Sequence, residues 1–319
     1  MPYGEASIAA ATRIIASGGI VAVATETVYG LAADARDASA VARIYAAKGR
    51  PSFNPLIVHV LDLAAAERLA VFDADARALA AAFWPGPLTL VLPLRGDAGI
   101  ASLVTAGLTT IAVRVPAHRA MRALLEACAC PVAAPSANRS NGISPTRAAH
   151  VVASLGGAVP LVIDDGACAA GLESTIVHGR SILRPGPVTA EMVQRPFSRE
   201  GGSPVLPADL DPRLRGGTVT APGQLATHYA PAKPLRLGAT SAYPDEWLIG
   251  FGPIAGDDTL SATGDLIEAA AHLFDALHRA DASSARCIAV APVPHTGIGE
   301  AINDRLSRAA TTEDPSPRT

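Results

Sequence analysis

Lysine is almost missing from this chain. Of 26 basic residues in 319, only Lys48 and Lys233 are lysines and the rest are arginines. Aromatic residues amount to 4%. That leaves little material for the stacking platforms on which single-stranded nucleic acids lie. A net charge of −3 and a pI of about 6.2 lack the basic excess of a dedicated nucleic-acid binder. Strong direct binding to nucleic acid is therefore not expected. The four cysteines, Cys128, Cys130, Cys168 and Cys287, make no Cys-x-x-Cys unit. This argues against a structural zinc site and against a disulfide framework. No stretch approaches the ~20 apolar residues of a membrane-spanning helix. The start of the chain lacks the basic flank and long apolar run of a secretory signal. A soluble, cytoplasmic protein without a membrane partner is expected.

Several common chemistries are missing too. There is no G-x-x-x-x-G-K-[ST] phosphate loop, and no G-x-G-x-x-G opens a helix after a strand. No G-x-S-x-G nucleophile elbow occurs, nor any clustered metal-ligand spacing. Strong carboxylate pairs for acid–base work are not evident either. What is present is a composition of 49% hydrophobic and 17% charged residues, enough for a large packed core.

Apolar periodicity predicts helices over 5–17, 38–47, 75–83, 117–127 and 146–154. Strand-like runs fall at 20–24, 56–60, 88–94, 110–115 and 131–134, then at 160–163, 174–178 and 181–184. Interleaved helices and strands with extra consecutive strands predict an α/β domain built on a mixed sheet over residues 1–195. From Pro196 to Pro234 there are seven prolines and no apolar stripe. A connection this long has a job in a compact protein, so 196–232 reads as a linker acting as a lid. Strands at 247–251 and 286–291, with helices at 265–277 and 298–309, predict a small open-sheet α/β domain over 233–310. Residues 311–319 read as a disordered tail.

The functional-looking residues cluster at strand ends. Lys48 stands in Lys48-Gly49-Arg50-Pro51-Ser52-Phe53-Asn54-Pro55, before Leu56-Ile57-Val58-His59. In a chain that writes its cations as arginine, a lysine here marks a place for a compact point charge. The loop is able to hold an anion; equally, a basic residue before Gly and Pro is an ordinary helix stop. Thr25-Glu26-Thr27 follows a strand and offers hydroxyls to a small polar ligand, or caps a helix. Arg114, inside an apolar strand that begins at Thr110, is costly to bury unless it meets an anion or a carboxylate. Ser136-Ala137-Asn138-Arg139-Ser140-Asn141-Gly142-Ile143-Ser144 lies between a strand and a helix. It offers a phosphate or ribose cradle, or simply a capped solvated loop. Ser174 starts a strand, and Arg184 ends the next. Lys48, Arg50, Arg114 and Arg184 on one α/β domain describe a site that stabilises negative charge and orients ligands. A nucleoside triphosphate with a small acid is the natural ligand pair.

In order, T-E-T-V-Y-G-L, K-G-R-P-x-x-x-P-L-I-V-H, W-P-G-P-L-T, V-R-V-P, P-S-A-N-R-S and E-S-T-I-V resemble the YrdC-like threonylcarbamoyl-AMP synthases from about Ala6 to Thr189. His228-Tyr229-Ala230-Pro231 resembles the two-domain members with an extra C-terminal domain. The resemblance implies the YrdC-like twisted mixed sheet with flanking helices, plus a small Rossmann-like C-terminal domain. It implies formation of N-carboxythreonine from L-threonine and bicarbonate, attack of its carbamate on the α-phosphate of ATP, and release of pyrophosphate. Mg²⁺ on the phosphates is implied, with no protein side chain as its ligand. Implied downstream partners are the proteins that transfer the threonylcarbamoyl group to tRNA.

By motif position, Thr27, His59, Arg114, Ala134 and Ser174 hold threonine. Lys48, Arg50, Asn54, Thr110, Ser136, Asn138, Ser144, Arg184 and Tyr229 hold ATP, with Lys48 and Arg50 also catalytic. Two departures stand out: Ala24 replaces a proline frequent in the family, and Asn141-Gly142 displaces a glycine by one position. An RNA-binding or ribosome-assembly module, and carbamoyl transfer from carbamoyl phosphate, are the competing readings. Scarce aromatics oppose the first, and the lack of zinc-finger-like cysteines opposes the second.

Overall fold

The computed structural model describes residues 1–50, 54–195 and 228–310. Strands β1 (Val21–Val23), β2 (Gly30–Asp34), β3 (Ile57–His59), β4 (Leu88–Pro93), β5 (Thr110–Arg114), β6 (Val132–Ala133), β7 (Val162–Ile163), β8 (Thr175–His178) and β9 (Ser181–Arg184) form one sheet. Their order is β7-β1-β2-β6-β3-β5-β4-β8-β9. Parallel pairs (β3 with β5, β4 with β8) alternate with antiparallel ones (β4 with β5, β8 with β9), so the sheet is mixed, as the element order implied.

Side chains alternate across a strand, and that alternation divides the sheet's two faces. Val58, Leu90, Val113 and Val177 point into the main apolar core with Ile44, Leu79 and Leu88. Their neighbours Ile57, Val91, Ala112 and Ile176 form a separate small cluster on the opposite face. His59, Thr89, Arg114 and Ser174 share the parity of that second face. The pleat therefore delivers the polar candidates to one side and the core to the other.

Aspartates start the three helices that follow Glu5–Ala16. Asp37 caps Ala38–Lys48, Asp62 caps Leu63–Leu69 and Asp73 caps Ala74–Phe83, each carboxylate accepting from backbone N–H groups of the first turn. Ala38–Lys48 stops at Gly49, whose φ of 59° is the left-handed C-cap conformation. The helix-stop reading of Lys48-Gly49 is thus correct locally, whatever else the lysine does.

The second sheet contains β10 (Leu235–Leu237), β11 (Glu246–Gly250), β12 (Asp258–Thr259) and β13 (Cys287–Val290), in the order β10-β13-β11-β12 and parallel throughout. Helices Leu266–Ala282 and Gly299–Ala310 pack on it through Leu273, Phe274, Ile302 and Leu306. Its core continues into the first unit through Val28, Ile143 and Leu172. Gly171 is needed at the junction. A Cβ there would sit 2.5 Å from backbone atoms of Ala270 and Ala271, and its φ is 65°.

Some elements escaped the sequence reading. β2 is Gly-Leu-Ala-Ala-Asp, poor strand formers placed by their pairing with β1 and β6. Leu63–Leu69, β10 and β12 were also unforeseen, the last two being short and without clear alternation. The Thr25–Thr27 segment caps no helix: Thr25 Oγ1 instead accepts from the N–H groups of Thr27 and Val28 in a turn. Of the lid expected at 196–232, residues 196–227 lie outside the described residues, as does the tail at 311–319.

Candidate active site

A cavity lies over the second face of the large sheet. It is lined by Thr27, Arg50, Ile57, His59, Arg114, Ala134, Ser136, Glu173, Ser174, Arg184, His228 and Tyr229, among others. β3 and β5 run parallel in a register that pairs His59 with Arg114, so both side chains rise together at the strands' carboxyl ends. Ligands of open α/β sheets collect at such ends.

Arg114 is 3% exposed, and each of its three nitrogens donates one hydrogen bond. Its Nη2 donates to Glu26 Oε1 at 2.5 Å, Nη1 to Thr27 Oγ1 at 2.9 Å, and Nε to the Gly86 carbonyl at 3.1 Å. Burial opposes the charge on Glu26, but Arg114 outweighs it and holds the carboxyl below its usual range. Beside this pair, burial and the Arg114 charge depress His59 to about 3. The imidazole is therefore neutral at physiological pH, and its Nδ1 is buried without a partner. Across the cavity, Ser174 Oγ lies 2.7 Å from Thr89 Oγ1, and Arg184 Nη2 donates to the Ser174 carbonyl at 2.8 Å.

The nucleotide-side candidates are tied to backbone. Lys48 Nζ donates to the carbonyls of Ser136 and Asn138, each at 2.6 Å, and the Lys48 carbonyl accepts from Ser140 N–H at 2.8 Å. These bonds pin the 136–140 loop to the end of the helix. Burial, reinforced by Arg50, pushes Lys48 well below an ordinary lysine. Arg50 donates to the Pro55 carbonyl at 3.1 Å, and burial lowers it to about 10. Burial likewise lowers Arg184. Three cations held out of water without matching carboxylates in contact lower their energy when an anion arrives.

Not every candidate reaches the cavity. Lys48, Asn54, Thr110, Asn138 and Ser144 lie outside its lining. Asn54 stands close, buried, with Nδ2 unpartnered. Thr110 shares the face of Arg114 but begins β5, roughly 13 Å away along the strand. Ser144 donates its hydroxyl to Glu173. Asn141 adopts φ 66°, so the left-handed position falls on the asparagine and Gly142 does not need it. Asparagine is among the few residues that tolerate this conformation, which explains how the displaced glycine is accommodated.

Tyr229 closes the cavity from the other side. It is 0% exposed, its φ is 67°, and its hydroxyl is without a partner. Ala230 N–H donates to the Asn141 carbonyl at 2.8 Å, which docks this segment on the 136–144 loop. Glu26, Glu173 and Arg305 went unassigned in the sequence. Arg114 pairs with Glu26 and Arg305 with Glu173; the need for an anion was legible for Arg114 but not traceable to a specific glutamate from spacing alone.

Residues 13–186 match the family model Sua5_yciO_yrdC, described as "Telomere recombination". Residues 188–311 match "Threonylcarbamoyl-AMP synthase, C-terminal domain". The chain is 37% identical to the threonylcarbamoyl-AMP synthase of Bacillus subtilis, covering 96% of this chain and 93% of the relative. It superimposes on the crystal structure of P. abyssi Sua5 complexed with L-threonine with a TM-score of 0.82 at 35% identity, covering 95% and 94% of the two chains. A histidine–tyrosine double alanine variant of P. abyssi Sua5 gives a TM-score of 0.81 at 34% identity, covering 95% and 92%.

Proposed function

The chain belongs to the threonylcarbamoyl-AMP synthase family, in its form with an additional C-terminal domain, and from that premise we propose how its cavity divides the work. The enzyme makes threonylcarbamoyl-AMP from L-threonine, bicarbonate and ATP, with release of pyrophosphate. The threonine amine condenses with bicarbonate, forming the N–C bond of a carbamate as a C–O bond breaks and water leaves. A carbamate oxygen then forms a bond to the α-phosphorus as the bond to pyrophosphate breaks. In-line displacement of this kind needs positioning and charge neutralisation rather than covalent catalysis.

Arg114 takes the threonine carboxylate, its guanidinium held in place by Glu26 and the Gly86 carbonyl. Thr27, His59, Ala134 and Ser174 enclose the rest of the amino acid. A neutral His59 accepts a hydrogen bond from the amine or hydroxyl without adding charge. Arg50 and Arg184 face the phosphates. Lys48 and Asn138 fix the loop that presents Ser136, while Asn54, Thr110 and Ser144 extend the nucleotide side. Tyr229 covers the nucleotide and keeps water from a reactive mixed anhydride.

Mg²⁺ belongs to the reaction as a companion of ATP. Among the described residues no group of three or more His, Cys, Asp or Glu is placed to hold a metal ion. Glu26 and Glu173 are already paired with arginines. An ion carried in by the triphosphate would supply charge neutralisation for the pyrophosphate. A reactive product of this kind calls for immediate use, so the partners are the tRNA threonylcarbamoyl transferase proteins, and the setting is the cytoplasm. Among the described residues no helix is long and apolar enough to cross a membrane.

The observation that carries these roles is the convergence of Arg50, Arg114 and Ser174 from three separate motifs, with Arg184 from the end of β9, on one cavity. The test is pyrophosphate release from MgATP. It is expected only when threonine and bicarbonate are both present. Release with carbamoyl phosphate in place of bicarbonate and threonine would move the chain to the carbamoyl-transfer reading.

A further inference from the structure

The last helix of the second unit, Gly299–Ala310, carries a guanidinium into the first. Arg305 is 0% exposed. Its Nε donates to Glu173 Oε2 at 2.8 Å, Nη2 to the Pro185 carbonyl at 2.9 Å, and Nη1 to Asp304 at 2.5 Å. Its Cζ stands 5.0 Å from the centre of the Tyr229 ring, within range of a cation–π contact. Three of these four partners adjoin or are residues given a site role above. Glu173 precedes Ser174, Pro185 follows Arg184, and Tyr229 is the cover itself.

Packing alone does not account for this arginine. A well-fitted apolar side chain often holds two packed units together as well as a buried ion pair does, because it avoids the desolvation of two charges. What an apolar side chain lacks is geometry. A planar fork with several donors fixes a carboxylate and a carbonyl at defined positions and presents a cationic face to a ring. Burial by itself would push the Arg305 pKa down, but Tyr229, Glu173 and Asp304 outweigh it, so the charge is permanent.

We propose that Arg305 is a positioning residue of the synthase site: it sets the spacing between the Glu173–Ser174 and Arg184–Pro185 backbones and seats Tyr229 over them. The second unit thereby completes the nucleotide side of the cavity rather than merely flanking it. This rests on the residue roles proposed above.

The test uses the full chain with Arg305→Met and Arg305→Lys, measuring pyrophosphate release with ATP and threonine varied separately, together with thermal melts. Arg305→Met is expected to lower kcat/KM for ATP by on the order of 10²-fold, the scale of a misplaced site. KM for threonine should move less, because Arg114 on β5 and Thr27 in the turn before β2 are not touched by Arg305, and of the threonine-side residues only Ser174 adjoins one of its partners. Arg305→Lys keeps the charge against Glu173 but loses the fork, so it should recover only part of the loss. Combining Arg305→Met with Tyr229→Leu, which removes the ring, should cost less than the product of the two single effects, as for residues acting through one contact. Kinetics of Arg305→Met within twofold of the parent, with a lowered Tm, would overturn the proposal and leave Arg305 as a structural tie. If Arg305→Met fails to fold, Arg305→Lys decides: parental kinetics overturn the proposal, and a lowered kcat/KM for ATP at an unchanged Tm supports it. A parent chain that releases no pyrophosphate with threonine and bicarbonate would defeat the synthase roles instead, before any Arg305 variant is compared.

Discussion

Lys48 spans from the end of its helix to the carbonyl of Asn138, 2.6 Å away and 90 positions later in the chain. The bond joins the two motif segments proposed to handle ATP. Its amino group donates to the Ser136 and Asn138 carbonyls and, at 3.3 Å, to Asn138 Oδ1, with no carboxylate in contact.

Lys48→Met should therefore release the 136–140 loop. Hydrogen bonds to a charged donor contribute about 1.5–3 kcal/mol each. We expect KM for ATP to rise by roughly 10- to 100-fold, with KM for threonine changed far less. Lys48→Arg should not restore it, because a planar guanidinium does not fit a pocket shaped for a point charge. Steady-state kinetics with each substrate varied in turn check both statements, and equal rises in the two KM values would refute the loop assignment.

Arg114→Lys should weaken threonine binding selectively. Lysine keeps the charge but cannot serve Glu26, Thr27 and the Gly86 carbonyl together. Loss of a bidentate carboxylate contact is expected to raise KM for threonine on the order of 10²-fold. Glu26→Gln should give a milder rise, since it loosens Arg114 without removing it. Threonine affinity by calorimetry is the direct measurement; an unchanged affinity in Arg114→Lys would remove this arginine from the threonine site.

Acid should destabilise the protein early. Burial depresses His59 and His228 to about 3 and His278 to about 4, while an unfolded histidine titrates near ~6.5. Between those values the unfolded state binds more protons than the folded one. Stability is then complete above the unfolded pKa and falls as pH drops towards the folded values. Each such histidine contributes about 1.4 kcal/mol per pH unit within that window. Melting curves should show Tm falling from pH 7 to pH 5, before most carboxylates titrate. His278→Gln should flatten that slope; an identical slope would place the titrating groups elsewhere.

Chelation should separate metal from fold. EDTA is expected to abolish pyrophosphate release while leaving the Tm of the ligand-free protein within about 1 °C, because the ion is held by the nucleotide's oxygens and not by a carboxylate cage. A Tm that drops in EDTA and returns with Mg²⁺ would show a resident metal ion.

The sequence by itself determined most of the helices and strands and which residue types stand at their ends. Alternation placed His59 and Arg114 at the ends of β3 and β5, and glycine after Lys48 ended a helix, because these signals are local and act through backbone geometry. The mixed sheet followed from element order. Local signals did not reach β2, whose Gly-Leu-Ala-Ala-Asp forms a strand only between β1 and β6. Partnership was the other thing tertiary structure decided. Arg114 meets Glu26 across 88 positions and Arg305 meets Glu173 across 132. A buried arginine is costly until it meets a carboxylate or another anion, and only the folded chain selects which carboxylate that is. Likewise the sheet's two faces are equivalent in a period-two pattern until helices cover one of them. That covering left the other face to His59, Arg114 and Ser174, where charge can be bound.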